Sequence, residues 1–235
     1  RGQWHEAYDR LERTSNFPEI TGRVCPAPCE SSCTLSINDA PVSIKEIELT
    51  LIERAFEEGW VRPQPPAVES GKRVAVVGSG PAGLSAAQQL RRMGHEVIVY
   101  EKDSRPGGLL RYGIPEFKLE KSIIERRLEI YHLEGIAFEN DVTVGEDLSA
   151  RYLRKKHDAV VLALGCREPR RIPVAGDELD GVHYALDYLT ASTKVLHGEL
   201  PRTGLIDAKG KRVLVLGGGD TGADCVGTAN RQGAE

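Results

Sequence analysis
The apolar positions of the chain fall into three regimes. Near the start, Trp4, Ala7, Tyr8 and Leu11 recur at helical spacing, and Asn16-Phe17-Pro18 ends the run, because proline restrains the residue before it and has no N–H to donate. A loop bearing Cys25, Cys29 and Cys33 follows, and its Pro26 and Pro28 forbid a regular helix between the first two cysteines. From Pro41 to about Glu58, Ile44, Ile47, Leu51, Ile52, Ala55 and Phe56 form one stripe of a second helix, with Pro41 suited to its first turn and Gly59 to its stop.

The second regime is short. Residues 61–71, Val-Arg-Pro-Gln-Pro-Pro-Ala-Val-Glu-Ser-Gly, form a proline-rich, semi-rigid connection and mark a domain boundary. From Lys72 the pattern alternates. A buried strand over Arg73–Val77, a helix over Ala82–Met93 and a strand over Glu96–Tyr100 are followed by a helix over Leu119–Leu133 and a buried strand over Ala159–Leu164. A further short buried strand is expected at Arg212–Leu216, with a helix starting near Asp220. Such alternation implies an α/β fold with a parallel sheet covered by helices. The divisions expected are 1–62, a linker at 63–71, 72–189 and 190–235.

Composition narrows the classes of function. Charged residues make up 28% and hydrophobic ones 40% of 235 residues, as in a globular chain, and the net charge of −4 offers no basic face for nucleic acid or a membrane surface. The longest apolar run, Ala159 to Leu164, is far short of the ~20 residues a membrane span needs. No secretory pattern opens the sequence, so a cytoplasmic setting with reduced thiols is expected. The chain begins at Arg1 rather than Met and Glu235 falls within a motif, so a partial chain is expected.

The most informative motif is Gly78-Ser79-Gly80-Pro81-Ala82-Gly83, a G-x-G-x-x-G directly after a strand and at the opening of a helix. The first glycine permits the tight turn, the second lets backbone approach a pyrophosphate, and the third lets helix and strand pack closely. The helix N-terminus offers unpaired N–H groups to the phosphate. Glu101 closes the next strand, where a carboxylate can accept from ribose hydroxyls. Gly107-Gly108-Leu109 lies just downstream, and Val160 to Gly165 forms a strand ending in small residues. Each of these alone fits a core strand or a turn. Together they resemble the flavoproteins that bind two dinucleotides, whose first site holds FAD.

A second loop, Gly217-Gly218-Gly219-Asp220-Thr221-Gly222, repeats the fingerprint after the Arg212–Leu216 stretch. Alone it fits a structural turn as well as a ligand site, and as a second fingerprint it points to NAD(P)H. A βαβ unit takes roughly 30 residues, more than follow here, so only the start of that unit is expected. Choosing NADP over NAD needs a cation near the end of the next strand, which lies outside this sequence.

Cys25-x3-Cys29-x3-Cys33 supplies three thiolates, against the four ligands of an iron–sulfur cluster. Zinc competes for such a loop, although its knuckles usually pair across a longer spacer. Glu48 sits beside the apolar stripe of the second helix, either at its edge reaching water or buried and in need of a partner. Cys166 and Cys225 have no nearby second cysteine and read as packed thiols. A disulfide reductase would need a C-x-x-C pair, and the sequence has none.

Several long motifs then resemble one family. Residues 21–30 with 41–45, residues 107–115 with 117–121, residues 218–228 and residues 230–234 are similar to segments of the glutamate synthase small (β) subunit. The N-terminal half of dihydropyrimidine dehydrogenase shares the architecture with a differently spaced cysteine loop. The resemblance implies a helical iron–sulfur N-terminal domain, a Rossmann-like FAD domain and the start of an inserted NAD(P)H-binding Rossmann-like domain. It implies FAD, [4Fe–4S] clusters and NADPH as cofactors, and the glutamate synthase large (α) subunit as partner. By position, Cys25 and Cys29 would ligate one cluster and Cys33 the other, with Glu48 as a side-chain ligand and the remaining ligands upstream of Arg1. Val24 would meet the flavin and Lys118 an FAD phosphate, with Lys102, Leu109 and Val144 also in the FAD site. The implied function is electron input: NADPH to FAD to clusters to the large subunit, where L-glutamate forms from L-glutamine and 2-oxoglutarate. No catalytic acid or base is expected, since hydride transfer needs stacking and close approach. The alternatives are a stand-alone or other-partner NAD(P)H:ferredoxin-type oxidoreductase, and a nucleotide- or cluster-binding module without activity.

Overall fold
The computed structural model describes residues 2–166 and 168–235. Four helices come first: α1 (Trp4–Glu12), α2 (Pro18–Val24), α3 (Pro28–Ser31) and α4 (Ile44–Glu57). Tyr8, Ile52 and Ala55 form the small core of this region, with Leu49, Phe56, Trp60 and Val61 against it. Gly22 lets α2 and α4 approach closely, because a Cβ there would sit 3.0 Å from the Leu49 Cβ. The opposite face of α2 belongs elsewhere. Phe17 and Ile20 enter the core of the following unit, among Val76, Leu84, Ile124, Leu128 and Tyr131.

That unit is the expected parallel α/β layer. It runs β1 (Arg73–Val77), α5 (Pro81–Arg92), β2 (Glu96–Tyr100), α6 (Leu109–Tyr112), α7 (Lys121–Leu133), β3 (Ala137–Glu139), α8 (Ala150–Lys156) and β4 (Ala159–Leu162). Among the described residues the sheet order is β3-β2-β1-β4, with every pair parallel. β1 is central, and Val77 aligns with Tyr100 on one side and Leu162 on the other. The strand ends that carry Gly78, Glu101 and Ala163 therefore meet at one edge, where such sheets bind ligands. α9 (Ala185–Leu196) and α10 (Asp220–Gln232) close the chain around Tyr188, Leu189, Ala208, Cys225 and Ala229. The expected 189/190 division thus falls inside α9, whose Tyr188 and Leu189 pack with α10.

Several expectations need correction. Pro18 does not merely end a helix; it opens α2, because its fixed φ suits a first turn. The second helix starts at Ile44 rather than Pro41, and only its C-terminal half is covered: Ile52 and Ala55 are buried, whereas Ile44 and Ile47 remain exposed. The strand expected to reach Leu164 stops at Leu162, and Leu162 and Leu164 are exposed, because β4 has a described neighbour only on its β1 side. Residues 212–216 form no strand, and Leu214 is 84% exposed; among the described residues no strand pairs with this stretch, so extended backbone there lacks a ladder. Cys225 is buried as expected, but Cys166 is exposed just past the end of β4.

The proline-rich connection is strapped down along its length. Gln64 N–H donates to Glu134 Oε1 (3.1 Å), Ser70 N–H to the Gly94 carbonyl (2.8 Å), and Arg91 grips Glu69 with both terminal nitrogens (2.6 and 2.8 Å).

Candidate functional site
The first glycine loop has the shape of a phosphate cradle. Gly78 leaves β1 at φ +100°, and a Cβ on Gly83 would run into the Gly78 carbonyl oxygen. Around Gly80 the space is open, with nothing within 4 Å of the position a Cβ would take. Pro81 occupies the first turn of α5, and Pro81 and Ala82 are exposed beside that opening. Gly108 closes over the loop from the other side, since a Cβ there would lie 2.8 Å from Gly80 Cα. Leu109 follows as the exposed first residue of α6.

Glu101 is buried at the end of β2 and is wired into the loop. Its Oε2 accepts from the Ser79 N–H (3.0 Å) and from the Ser79 hydroxyl, and its Oε1 accepts from the Asp103 N–H (2.9 Å). The Ser79 oxygen in turn accepts from the Gly107 N–H (2.9 Å). An ionised carboxylate offers about four acceptor positions, so capacity remains for a ribose hydroxyl. Sequence reading missed Ser79, although a hydroxyl residue directly after the first glycine, opposite a strand-ending acid, is a usable signal. It also missed Lys121. That side chain is buried, and burial pushes its ammonium down to about 8. The Lys121 Nζ donates to the carbonyls of Ile114 (2.7 Å), Leu119 (2.8 Å) and Leu110 (3.3 Å), holding the loop between α6 and α7 in place.

The second loop repeats the geometry of the first. Gly217 takes φ +119°, a Cβ on Gly222 would sit 2.6 Å from the Gly217 carbonyl oxygen, and Gly218 and Gly219 face open space. Gly219 caps α10, which opens on the exposed Asp220 and Thr221. Lys118 lies against this helix: its Nζ is 3.2 Å from Asp224 Oδ1 and 3.6 Å from Asp220 Oδ1. Of the remaining expected FAD residues, Lys102 is exposed beside Glu101, and Val144 is half-buried against Ala75, Val77 and Tyr100. Val24 packs on the core of the sheet unit, one residue before Cys25.

The cysteine loop leaves α2 at Cys25. Cys25 and Cys29 are exposed and Cys33 is half-buried. The Ala27 N–H points at Cys25 Sγ (3.4 Å), and backbone N–H groups of Val42, Leu35 and Ser36 hold the Cys33 thiol below its ordinary value. Such N–H groups aimed at sulfur suit thiolate ligands. Glu30 accepts from the Lys45 N–H (2.9 Å), tying the loop to the first turn of α4, and Glu48 is half-buried on that helix. Among the described residues no three His, Cys, Asp or Glu side chains converge as a metal site. The loop thus brings the ligand type and the N–H environment without a complete ligand set.

Two fingerprint loops of one geometry, with a cysteine loop leaving a helix whose Val24 packs on the core of the sheet unit, define a nucleotide-dependent flavoprotein oxidoreductase carrying an iron–sulfur segment. The chain belongs to the pyridine nucleotide-disulphide oxidoreductase family, whose profile matches residues 72–235, and residues 1–60 match the dihydropyrimidine dehydrogenase domain II, 4Fe-4S cluster family. It is 56% identical over 238 aligned residues to the glutamate synthase [NADPH] small chain of Mycobacterium tuberculosis, covering all of this chain and 49% of the relative. To the small chain of Bacillus subtilis it is 55% identical, covering all of this chain and 48% of that one. The chain therefore spans about half the length of the curated relatives it matches. Among solved structures, Mycobacterium tuberculosis FprA in complex with NADPH is similar, with a TM-score of 0.54 and 28% identity over 66% of this chain and 35% of FprA. These matches agree with the family resemblance, fold class, oxidoreductase class and cofactor classes expected from the sequence. Among the described residues no helix is long and apolar enough to cross a membrane.

Proposed function
We propose that this chain carries the electron-input role of a glutamate synthase small subunit in the cytoplasm, with FAD at the first loop and NADPH at the second. The cysteine loop contributes to [4Fe–4S] clusters, Cys25 and Cys29 to one, Cys33 to the other and Glu48 as a further ligand. Electrons pass to a large subunit that forms L-glutamate from L-glutamine and 2-oxoglutarate. The nicotinamide, flavin and clusters supply the hydride and electron chemistry when bound.

The chain's own residues bind and orient. Gly80 leaves room for the FAD pyrophosphate, Glu101 takes a ribose hydroxyl while Ser79 fixes its carboxylate, and Gly107-Gly108 brings backbone close to the cofactor. Val24, anchored in the core of the sheet unit, holds the cysteine loop beside the FAD domain. The observation that carries the reading is the repeated contact of third glycine on first carbonyl, Gly83 on Gly78 and Gly222 on Gly217. The whole-chain identity to small chains adds to it.

The second reading is a stand-alone reductase; the likeness to FprA, an oxidoreductase, over 66% of this chain fits it as well as it fits a subunit. Affinity purification of the natural full-length protein from its own cells separates the two. Stoichiometric recovery of a large amidotransferase subunit is expected, and recovery of the small subunit alone, fully active towards a soluble acceptor, favours the stand-alone reductase.

A further inference from the structure
Helix α9 is shared between two units. Near its start Tyr188 and Leu189 pack with Cys225 and Ala229, and the Tyr188 hydroxyl donates to Gln232 (3.0 Å), so this half belongs with α10 and the second glycine loop. Its other end stands on the sheet unit. Lys194 Nζ donates to Asp103 Oδ1 (2.9 Å) just past β2, and Glu199 Oε2 accepts from the Tyr112 hydroxyl of α6 (2.8 Å) and from the Ser104 hydroxyl (2.8 Å). His197 Nε2 lies 3.1 Å from Glu116 in the loop between α6 and α7.

A glycine turn shapes this foot. Gly198 takes φ +72°, which lets the Glu199 N–H return to the Lys194 carbonyl (2.8 Å) and the Gly198 N–H to that of Val195 (3.2 Å), the paired bonds of a Schellman helix end. Both charged side chains then meet Tyr112: the Lys194 ammonium lies 4.8 Å from the centre of its ring, and Glu199 takes its hydroxyl. Asp103 and Tyr112 are buried, so water and salt weaken these contacts little. From Lys194 back to Leu189 is about 8 Å of continuous helix, with no flexible joint between the foot and the core of α10. Phe117 touches α10 elsewhere, at Gly227, and a single contact region leaves rotation about it free. The foot stands on other elements and opposes that rotation.

We propose that Lys194 and Glu199 are positioning residues for hydride transfer: by seating the end of α9 on Asp103, Ser104 and Tyr112, they fix the second glycine loop relative to the first. Neither residue belongs to a glycine loop. The inference rests on reading the second loop as the NADPH site, and it concerns the step in which NADPH is oxidised by giving up a hydride and the flavin is reduced by taking it. That step needs close approach, and a misplacement of about 1 Å can cost on the order of a hundredfold in rate without any loss of binding.

The test uses the natural full-length protein as purified, with rates taken per bound flavin. In anaerobic stopped flow, Lys194→Met/Glu199→Leu should lower the limiting rate of flavin bleaching at saturating NADPH by about tenfold. The calorimetric Kd of NADP+, which binds without reducing the flavin, should stay within about twofold of wild type. Hydrogen exchange without nucleotide should quicken over residues 194–200, and Lys194→Arg should bleach like the wild type. Lys194→Met alone changes a partly exposed side chain and should slow bleaching in the same direction by less, which keeps the test open if the double variant fails to fold. A limiting rate unchanged in these variants would overturn the proposal. So would a loss of rate matched by an equal weakening of NADP+, because the foot would then only support the second loop. No NADP+ binding by the wild type would instead remove the reading of the second loop on which the proposal rests.

Discussion

Glu19 on α2 and Arg127 on α7 form a bidentate ion pair, at 2.6 and 2.8 Å, with both side chains buried. The pair joins the helical region to the FAD-type unit from inside their shared core. Three residues further along α2, Gly22 packs on α4, and the helix then runs straight into Cys25. Arg23 and Arg126 add a second link, both bonded to Glu53 of α4. The cysteine loop is therefore carried on a strut rooted in the hydrophobic core of the sheet unit.

Breaking that pair from one side leaves a buried charge without its partner. Glu19→Gln should cost about 3–5 kcal/mol. The double change Glu19→Gln/Arg127→Met should cost less than the two single changes added together. Urea unfolding of the variants measures this, and hydrogen exchange should show residues 18–24 opening first in Glu19→Gln. Single variants as stable as the wild type would mean that the pair does not hold the strut.

Lys121 gives the fold a pH dependence on the alkaline side. Its folded-state value is lowered to about 8 from 10.5 by burial, with Glu116 pulling it up and Arg111 pushing it down. Between those values the unfolded chain holds a proton that the folded chain has released, so this residue's contribution to stability grows as pH rises through the window and is lost as pH falls through it. The stability difference between wild type and Lys121→Met should accordingly move in favour of the wild type from pH 8 to pH 10. A difference independent of pH would contradict the assignment.

The two glycine loops should fail separately. Gly83→Ala drives a methyl into the Gly78 carbonyl and should yield protein without the visible absorbance of bound flavin. Gly222→Ala does the same to Gly217 and should leave flavin bound while abolishing its bleaching by NADPH. Loss of flavin in both variants would mean that the loops are not independent sites.

Ser79 should act through Glu101. Ser79→Ala removes the hydroxyl shared by Glu101 and the Gly107 N–H, and a hydrogen bond to a charged group is worth about 1.5–3 kcal/mol. FAD should therefore dissociate more readily, with an apparent Kd raised at least tenfold. Equilibrium dialysis of the flavin measures it, and retention equal to wild type would leave Ser79 a purely structural group.

The sheet unit was legible in the sequence because its signals are local. A buried strand, a glycine loop, a helix and an acid at the next strand end lie within the stretch from Arg73 to Glu101. What escaped depends on partners far along the chain. Pro18 reads as a stop until Ile20 and Glu19 find their places against Leu128 and Arg127. Ile44 and Ile47 sit at core spacing, but nothing described covers them. Residues 212–216 have the composition of a buried strand but, among the described residues, no neighbouring strand to pair with. The glycine spacings announced the shape of both loops, whereas Lys118 gave no sign that its ammonium would face Asp224 across more than 100 residues.

The relay from nucleotide to flavin to iron is the central claim, and anaerobic reduction of the natural full-length protein by NADPH, followed optically and by low-temperature EPR, tests it most directly. Flavin bleaching accompanied by a reduced [4Fe–4S] signal that diminishes in Cys25→Ser and Cys33→Ser is the predicted result. Flavin bleaching in protein that holds no iron after anaerobic purification would contradict it.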